Sequence, residues 1–532
     1  MRRLGSILVL ATALLAALVA PVPSARAPAA TATAATAAAA AATIEPRPVD
    51  LPMRDGVTLK GTTLEPSDAG PHPAVVLISP WGTPDTIYLA QSAVLAGRGY
   101  VVLSYTTRGF GASGGTVSLA GPTDVADVSD VLDWMIAHTT ADPQRIGVGG
   151  VSYGAGISLL AAGHEPRIKA VVALSGWTDL SETFYRGGAR AFQVLGSVRF
   201  FVEVTGRPAP ELAEILTDFF AGRNRRRILA WTRTRSAMAY LDRINAYRPA
   251  IFLAQAYGDS FFPPNQVVDF FDGLTGPKRL ELSPGDHGTP ESSGLLGLTN
   301  PLWTDAGDWL DRYVAGRAPG AGGENAVLLR GGPADPVETS PDWAQVSTRS
   351  DRYALGRVRT EDGIGDLTLR APRAGWRRGI ETGFPTTADA GFVVLTNSSA
   401  AVTGIPVLLW LPTVDRRYAA LWASPPLDGV TPVRGIVHLH LVTRRQRAGT
   451  VIAYLYDVNS LGIGRLIAHQ PRTWRRGAGT LDLAFPPVSY DLPAGSRLAL
   501  VVDTVDGMYG DQGPRGGRLV FTGPSWLDVP LR

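Results

Sequence analysis

Cysteine is missing from all 532 residues. Its absence excludes disulfides, thiolate nucleophiles, Cys-ligated zinc and a lipoprotein anchor. Histidine is scarce, with seven in the chain, so imidazole-dependent chemistry has few candidates. A strong charge of either sign is missing too. Lys and Arg number 50 against 47 Asp and Glu, and Arg2, Arg3 and Arg26 fall in a 27-residue start that holds no acid, leaving 47 of each sign. That balance excludes a polybasic surface for nucleic acid or lipid. The cluster Arg223, Arg225, Arg226, Arg227 reads as a solvated helix face. Apolar residues make up 45% of the chain, enough for ample cores in the two or three domains its length suggests.

The start of the chain reads as an export signal over residues 1–27. Arg2 and Arg3 precede an apolar run from Ile7 to Val19, and Ala25-Arg26-Ala27 supplies a small-x-small cleavage site. Pro21 and Pro23 end the run without a charged stop-transfer cluster, which disfavours a membrane span. Residues 28–43 are almost pure Ala and Thr and read as a flexible leader. The expectation is a secreted protein with no membrane attachment after cleavage.

From residue 44 the pattern is that of an α/β protein. A hairpin is expected around Arg54-Asp55-Gly56. Unbroken apolar runs then follow at Ala74–Ser79, Tyr100–Ser104, Ile146–Val148, Ala170–Leu174 and Ala250–Ala256, as in strands buried on both faces. Residues 177–248 lose the alternation and read as a helical cap inserted over the sheet. This catalytic-type domain is expected over residues 44–320, ending at the linker Ala315–Gly323. Beyond it, short alternating segments separated by Gly, Pro and Asp predict an all-β jelly roll or sandwich over residues 324–532. Trp410, Trp422, Trp474 and Trp526 are exposed-type aromatics, more than a solvated module needs, which predicts that this domain packs on the α/β core near the cap.

The richest stretch is Gly150-Val151-Ser152-Tyr153-Gly154. A strand, a Gly-flanked serine and a buried helix in that order make a nucleophile elbow, which lifts the Ser152 hydroxyl clear of the sheet. A serine needs a base. His72 precedes the first buried strand, His138 and His164 close helices on the wrong side of the sheet, and His438, His440 and His469 lie in the β domain, which leaves His287, in a loop after a late strand. The orienting acid should follow the preceding strand, and Asp259 does so; Asp286 is the rival, adjacent to His287. The backbone N–H of Tyr153 is one oxyanion donor by position. The second belongs to the loop Pro80-Trp81-Gly82-Thr83, from Trp81 or Gly82. His438 and His440 form an HxH pair with no third ligand nearby and read as a solvated strand face, so no metal is expected.

These motifs together resemble the cocaine esterase and X-Pro dipeptidyl-peptidase family of α/β-hydrolases. The matching stretches are Thr107 to Gly115, the elbow, Tyr257-Gly258-Asp259, Pro284 to Gly288, and Ser424-Pro425-Pro426-Leu427 followed by Arg434-Gly435. The resemblance implies an α/β-hydrolase fold (mostly parallel sheet, helical cap) plus a C-terminal jelly roll. It also implies a triad of Ser152, Asp259 and His287, with no metal or organic cofactor. Where the family often carries an oxyanion tyrosine, this chain has Trp81; where many members carry Asp, it has Thr106. The implied activity is serine hydrolysis of a small-molecule ester or short peptide, an acyl esterase first and an X-Pro dipeptidyl-peptidase second. A dipeptidyl-peptidase must anchor an α-amine, and Glu182, Glu203, Glu211, Glu214 and Asp218 are the cap carboxylates available. The reading from another class is a non-catalytic carbohydrate-binding or adhesion protein on a hydrolase scaffold, which an intact Ser, Asp and His in order disfavours.

Overall fold

The structure is a computed structural model that describes residues 45–317, 325–332, 335–446 and 448–532. The expected signal, its leader and linker residues 318–323 lie outside the described residues. Two strands, β1 (Arg47–Pro52) and β2 (Thr58–Leu64), form the hairpin that Asp55-Gly56 turns. β3 (His72–Ile78), β4 (Val101–Thr106), β5 (Ala141–Val151) and β6 (Ile168–Leu174) follow. A small hairpin, β7 (Tyr185–Arg186) and β8 (Ala189–Arg190), stands apart from the main sheet. β9 (Ala250–Ala256), β10 (Lys278–Ser283), β11 (Asn325–Leu329) and β12 (Glu338–Ser340) complete it.

Among the described residues the sheet order is β1-β2-β4-β3-β5-β6-β9-β10-β11-β12. Every pairing from β4 to β11 is parallel. Parallel strands need crossovers that cover both faces, and the uninterrupted apolar runs are the sequence consequence. Prolines open four of the covering or capping helices, Pro122–His138, Pro210–Phe220, Pro264–Gly273 and Pro301–Tyr313. The first helical position needs no N–H donor, so proline costs nothing there. Between β6 and β9 the chain leaves the sheet for the cap, whose helix Pro210–Phe220 buries Leu212, Ile215, Leu216 and Phe219 on one stripe.

Two expectations are corrected here. The all-β part is expected from residue 324, yet β11 pairs parallel with β10 and β12 antiparallel with β11. These strands finish the hydrolase sheet, because Val327 and Leu329 alternate into its core. The second sheet begins with β13 (Arg349–Val358), takes in β14 (Gly365–Thr368) and β15 (Arg377–Glu381), and ends with the strand Arg518–Leu531. Trp422 and Trp474 are not interface aromatics either: both are buried in that sheet's own core. The two layers nevertheless meet closely. The tip of the β7–β8 hairpin lies against Pro471, Thr473 N–H donates to the Gly187 carbonyl at 3.0 Å, and Arg190 pairs with Asp511 at 3.3 Å.

Candidate active site

Ser152 sits between β5 and the helix Tyr153–Ala162 with φ 58° and ψ −114°. A non-glycine residue accepts that conformation only where the surroundings impose it. The flanking glycines are steric necessities. A β-carbon on Gly150 would come 2.6 Å from the Ile78 carbonyl oxygen, and one on Gly154 would collide with the same atom. β3 therefore presses directly on the turn. The Ser152 N–H is tied to the Leu174 carbonyl at 2.8 Å, which fixes the elbow to β6 as well.

His287 follows β10 and reaches across to the serine. Its Nε2 lies 2.8 Å from Ser152 Oγ, and its Nδ1 lies 3.0 Å from Asp259 Oδ2. With a carboxylate as acceptor at Nδ1, that nitrogen carries the proton and Nε2 is left to receive one from the serine. Asp259 is itself held: Phe261 and Phe262 N–H groups donate to Oδ1 at 2.9 and 2.7 Å, and Gln255 Nε2 donates to Oδ2 at 2.7 Å. Asp286 does a different job. Its Oδ1 accepts from Ser260 N–H, Ser260 Oγ–H and the His287 N–H at 2.7–2.8 Å, clamping the two loops together. Phe261 stacks on the imidazole at 4.9 Å between ring centres, and Phe262 meets it edge-on at 5.0 Å.

Burial pulls the His287 pKa down, but the charge and hydrogen bond of Asp259, with Glu291 and Asp286 behind, outweigh it and raise the value above the ordinary 6.5. Burial, and then the charge of Asp259, push the Asp286 carboxyl up to about 6.

The Tyr153 amide opens its helix, where N–H groups lack intrahelical partners and the dipole favours negative charge. The Tyr153 ring turns away from that point, and its hydroxyl accepts the Ala120 N–H at 2.8 Å. Trp81 packs edge-on against Tyr153 at 4.9 Å and against Phe110 at 5.0 Å. Its indole nitrogen is buried and, among the described residues, has no hydrogen-bond partner. Gly82 takes φ +71° with Thr205 against its α-carbon. Thr106 binds Asp85, which reaches it with Oδ1 at 2.8 Å.

A serine, an imidazole and a carboxylate in one chain of contacts at the C-terminal ends of a parallel sheet narrow the comparison to hydrolases. The family model of X-Pro dipeptidyl-peptidase (S15 family) matches residues 55–289, a span that holds all three. Residues 55–289 are similar to that family. The polyketide transferase claH of Penicillium crustosum is 26% identical over 271 residues, covering 44% of this chain and 88% of that protein. The acyltransferase drtE of Aspergillus calidoustus is 29% identical over 170 residues, 30% of this chain and 54% of that one. In fold, an α-amino acid ester hydrolase matches with TM-score 0.69 at 16% identity, covering 96% of this chain and all of that one. A CocE/NonD family hydrolase from Staphylococcus aureus matches with TM-score 0.68 at 12% identity, over 91% and 93% of the two chains. The chain is a hydrolase of the serine type.

The S15-type site is closed in by both neighbours. Beside Phe261 lies a cavity of about 10 Å3, lined among others by Glu182 and Val194 of the cap and by Met508 and Tyr509 of the β domain. Of the five cap carboxylates, Glu203, Glu211, Glu214 and Asp218 are each within ion-pair distance of an arginine, and Glu182 alone among them lines this cavity. The helix Leu395–Thr403 of the β domain contacts the loops that carry the acid and the histidine. Asn397 Nδ2 donates to the Gly258 carbonyl at 2.8 Å and to Asp286 at 3.2 Å, and Val394 N–H donates to Ser260 Oγ at 2.8 Å.

Asn397, Val394, Met508 and Tyr509 escaped the sequence reading, since nothing local marks a residue more than 100 positions away as a neighbour of the triad loops. Glu291, four residues beyond His287 in the polar stretch Thr289-Pro290-Glu291-Ser292-Ser293, carries no local signal that sets it apart from a surface loop acid. It is fully buried, and burial raises its pKa against the partial relief of the facing Ser175 hydroxyl. His440, half of the HxH pair, stacks on Trp526 at 3.9 Å and pairs with Asp482 at 2.6 Å.

Proposed function

We propose that this protein is a secreted acyl esterase that works through a covalent acyl-enzyme on Ser152. The observation that carries the reading is the single imidazole with Ser152 on one nitrogen and Asp259 on the other. In the first half-reaction His287 Nε2 takes the Ser152 proton as Oγ attacks the ester carbonyl carbon. The developing oxyanion meets the Tyr153 N–H, with a second donor from the Trp81–Gly82 loop. His287 then protonates the leaving alcohol, and the acyl group stays on Oγ. Water repeats the sequence in reverse and releases the acid. Asp259 keeps the proton on Nδ1 and stabilises the imidazolium throughout.

Release of X-Pro dipeptides from a peptide N-terminus is the second reading, and Glu182 is what favours it. Glu182 lines the cavity beside Phe261, whose volume of about 10 Å3 admits no more than a water-sized group, so its carboxylate anchors a substrate ammonium only if that cavity opens. Burial and then the neighbouring Asp179 raise its pKa, which weakens that anchor and leaves ester cleavage ahead. Export rests on the residue 1–27 signal alone.

A panel of p-nitrophenyl esters beside Gly-Pro and Ala-Pro p-nitroanilides separates the two readings by kcat/KM. Ser152→Ala is expected to lower kcat by about 10⁶ and to abolish labelling by a fluorophosphonate. Undiminished labelling of the folded variant would remove Ser152 from the mechanism. Intact-mass measurement of protein recovered from culture medium tests export, with the mature chain expected to begin at Pro28.

A further inference from the structure

A groove of about 540 Å3 opens in the β domain where the turn between β13 and β14 faces the start of β15. Five arginines line it, Arg359, Arg377, Arg378, Arg416 and Arg518, against the two acids Glu361 and Asp362. The lining is therefore formally +3, five positive charges less two negative. It holds no aromatic ring on which a neutral sugar would stack.

The arginines are not equivalent. Arg359 is neutralised by Asp362 at 2.8 Å and Asp366 at 2.6 Å. Arg378 and Arg416 are half-buried, yet their hydrogen bonds go to carbonyls: Arg378 to those of Arg416 and Ala419, Arg416 to those of Leu411 and Val414. Carbonyl dipoles satisfy donors without cancelling charge. The Nε of each is buried and, among the described residues, has no hydrogen-bond partner. Burial lowers the pKa of both, and for Arg416 the repulsion of Arg378 adds to it, against partial relief from Asp362 and Asp415. The backbone makes room for these side chains. A β-carbon on Gly363, at φ +68°, would come 2.9 Å from Arg416 Cγ, and one on Gly379 would come 3.0 Å from Arg518 Nε.

A partly desolvated guanidinium whose hydrogen bonds go only to carbonyls is incompletely neutralised, and its planar fork matches the oxygens of a carboxylate, sulfate or phosphate. We propose that this groove binds a small, multiply charged oxyanion, one molecule presenting two or more phosphate, sulfate or carboxylate groups. All its lining residues lie outside the hydrolase sheet and cap, so binding there is independent of the chemistry at Ser152.

Isothermal titration of the full chain with tripolyphosphate and, separately, with trigalacturonate tests the groove and separates phosphoryl from carboxylate ligands. One saturable site is expected for at least one of the two, weakening as salt is added. Arg377→Gln, at an exposed position that leaves the fold intact, is expected to reduce affinity about tenfold, and Arg378→Gln by at least as much. Hydrolysis of a p-nitrophenyl ester reports folding and is expected to be unchanged in Arg377→Gln. Absence of saturable heat with both polyanions at millimolar concentration overturns the proposal. So does equal affinity of the wild type and both variants.

Discussion

Asp259 sets Oδ2 3.0 Å from Nδ1 of His287 across 28 residues of chain. The carboxylate next in sequence to the histidine, Asp286, points instead into the Ser260 and His287 amides. Asp259→Asn is expected to cost about 10⁴ in kcat, because an amide lets the imidazole adopt the wrong tautomer. Asp286→Asn keeps an Oδ1 acceptor for the loop amides and is expected to cost less than about tenfold by comparison. Steady-state kinetics on both variants, with folding checked by circular dichroism, decide the assignment. The opposite ranking would move the orienting role to Asp286.

Activity and stability should respond to pH through different groups. His287 acts as a base only when neutral, and its pKa lies above 6.5. kcat/KM is therefore expected to fall as pH drops through a midpoint above 6.5. Asp286 is raised from 3.8 to about 6 by burial. The folded state holds its proton where the unfolded chain has released it, so its contribution to stability is full below 3.8 and is lost as pH rises through about 6. Asp286→Asn should flatten that part of the melting-temperature profile. A pH–rate midpoint below 6.5 would show that burial, and not Asp259, dominates the histidine.

The elbow glycines make a steric prediction. Gly154→Ala drives a methyl into the Ile78 carbonyl of a central strand that cannot shift, and about 3 kcal/mol or more of stability should be lost. Gly97→Ala, where a β-carbon meets nothing within 4 Å, should be neutral or stabilising by up to about 1 kcal/mol. Urea denaturation of the two variants makes the comparison. Equal stability would mean that the turn relaxes more freely than its packing indicates.

The contact between Asn397 and the triad loops predicts that the β domain supports catalysis. Asn397→Ala removes two hydrogen bonds from Gly258 and Asp286 and should lower stability by about 1–2 kcal/mol, with a several-fold loss of kcat/KM. A chain ending after Ser347 keeps β11 and β12 but bares the cap hairpin and loops that the β domain covers. It is expected to aggregate or melt lower and to lose activity. A soluble, monomeric fragment with unchanged kcat/KM would make the β domain an independent module.

The sequence by itself determined whatever depends on neighbours along the chain. Apolar runs marked the buried strands, the spacing of Gly150, Ser152 and Gly154 marked the elbow, and the scarcity of histidine singled out His287. Those features are legible because backbone sterics and hydrophobic periodicity act within a few residues. Strand order already pointed to Asp259 over Asp286, but the 3.0 Å contact of its carboxylate with the imidazole depends on side-chain direction at the end of a loop and is seen only in the tertiary structure. Likewise, residues 324–340 fall within the expected all-β part, and only the pairing of β11 with β10 and of β12 with β11 joins them to the hydrolase sheet. Trp422 and Trp474 read as interface aromatics until their side chains proved to face the inner core of the curled sheet. Asn397 became a neighbour of Gly258 only when two sheets far apart in sequence came together. Pairing register and domain contact are set by surfaces distant in the chain, and no local pattern of residues encodes them.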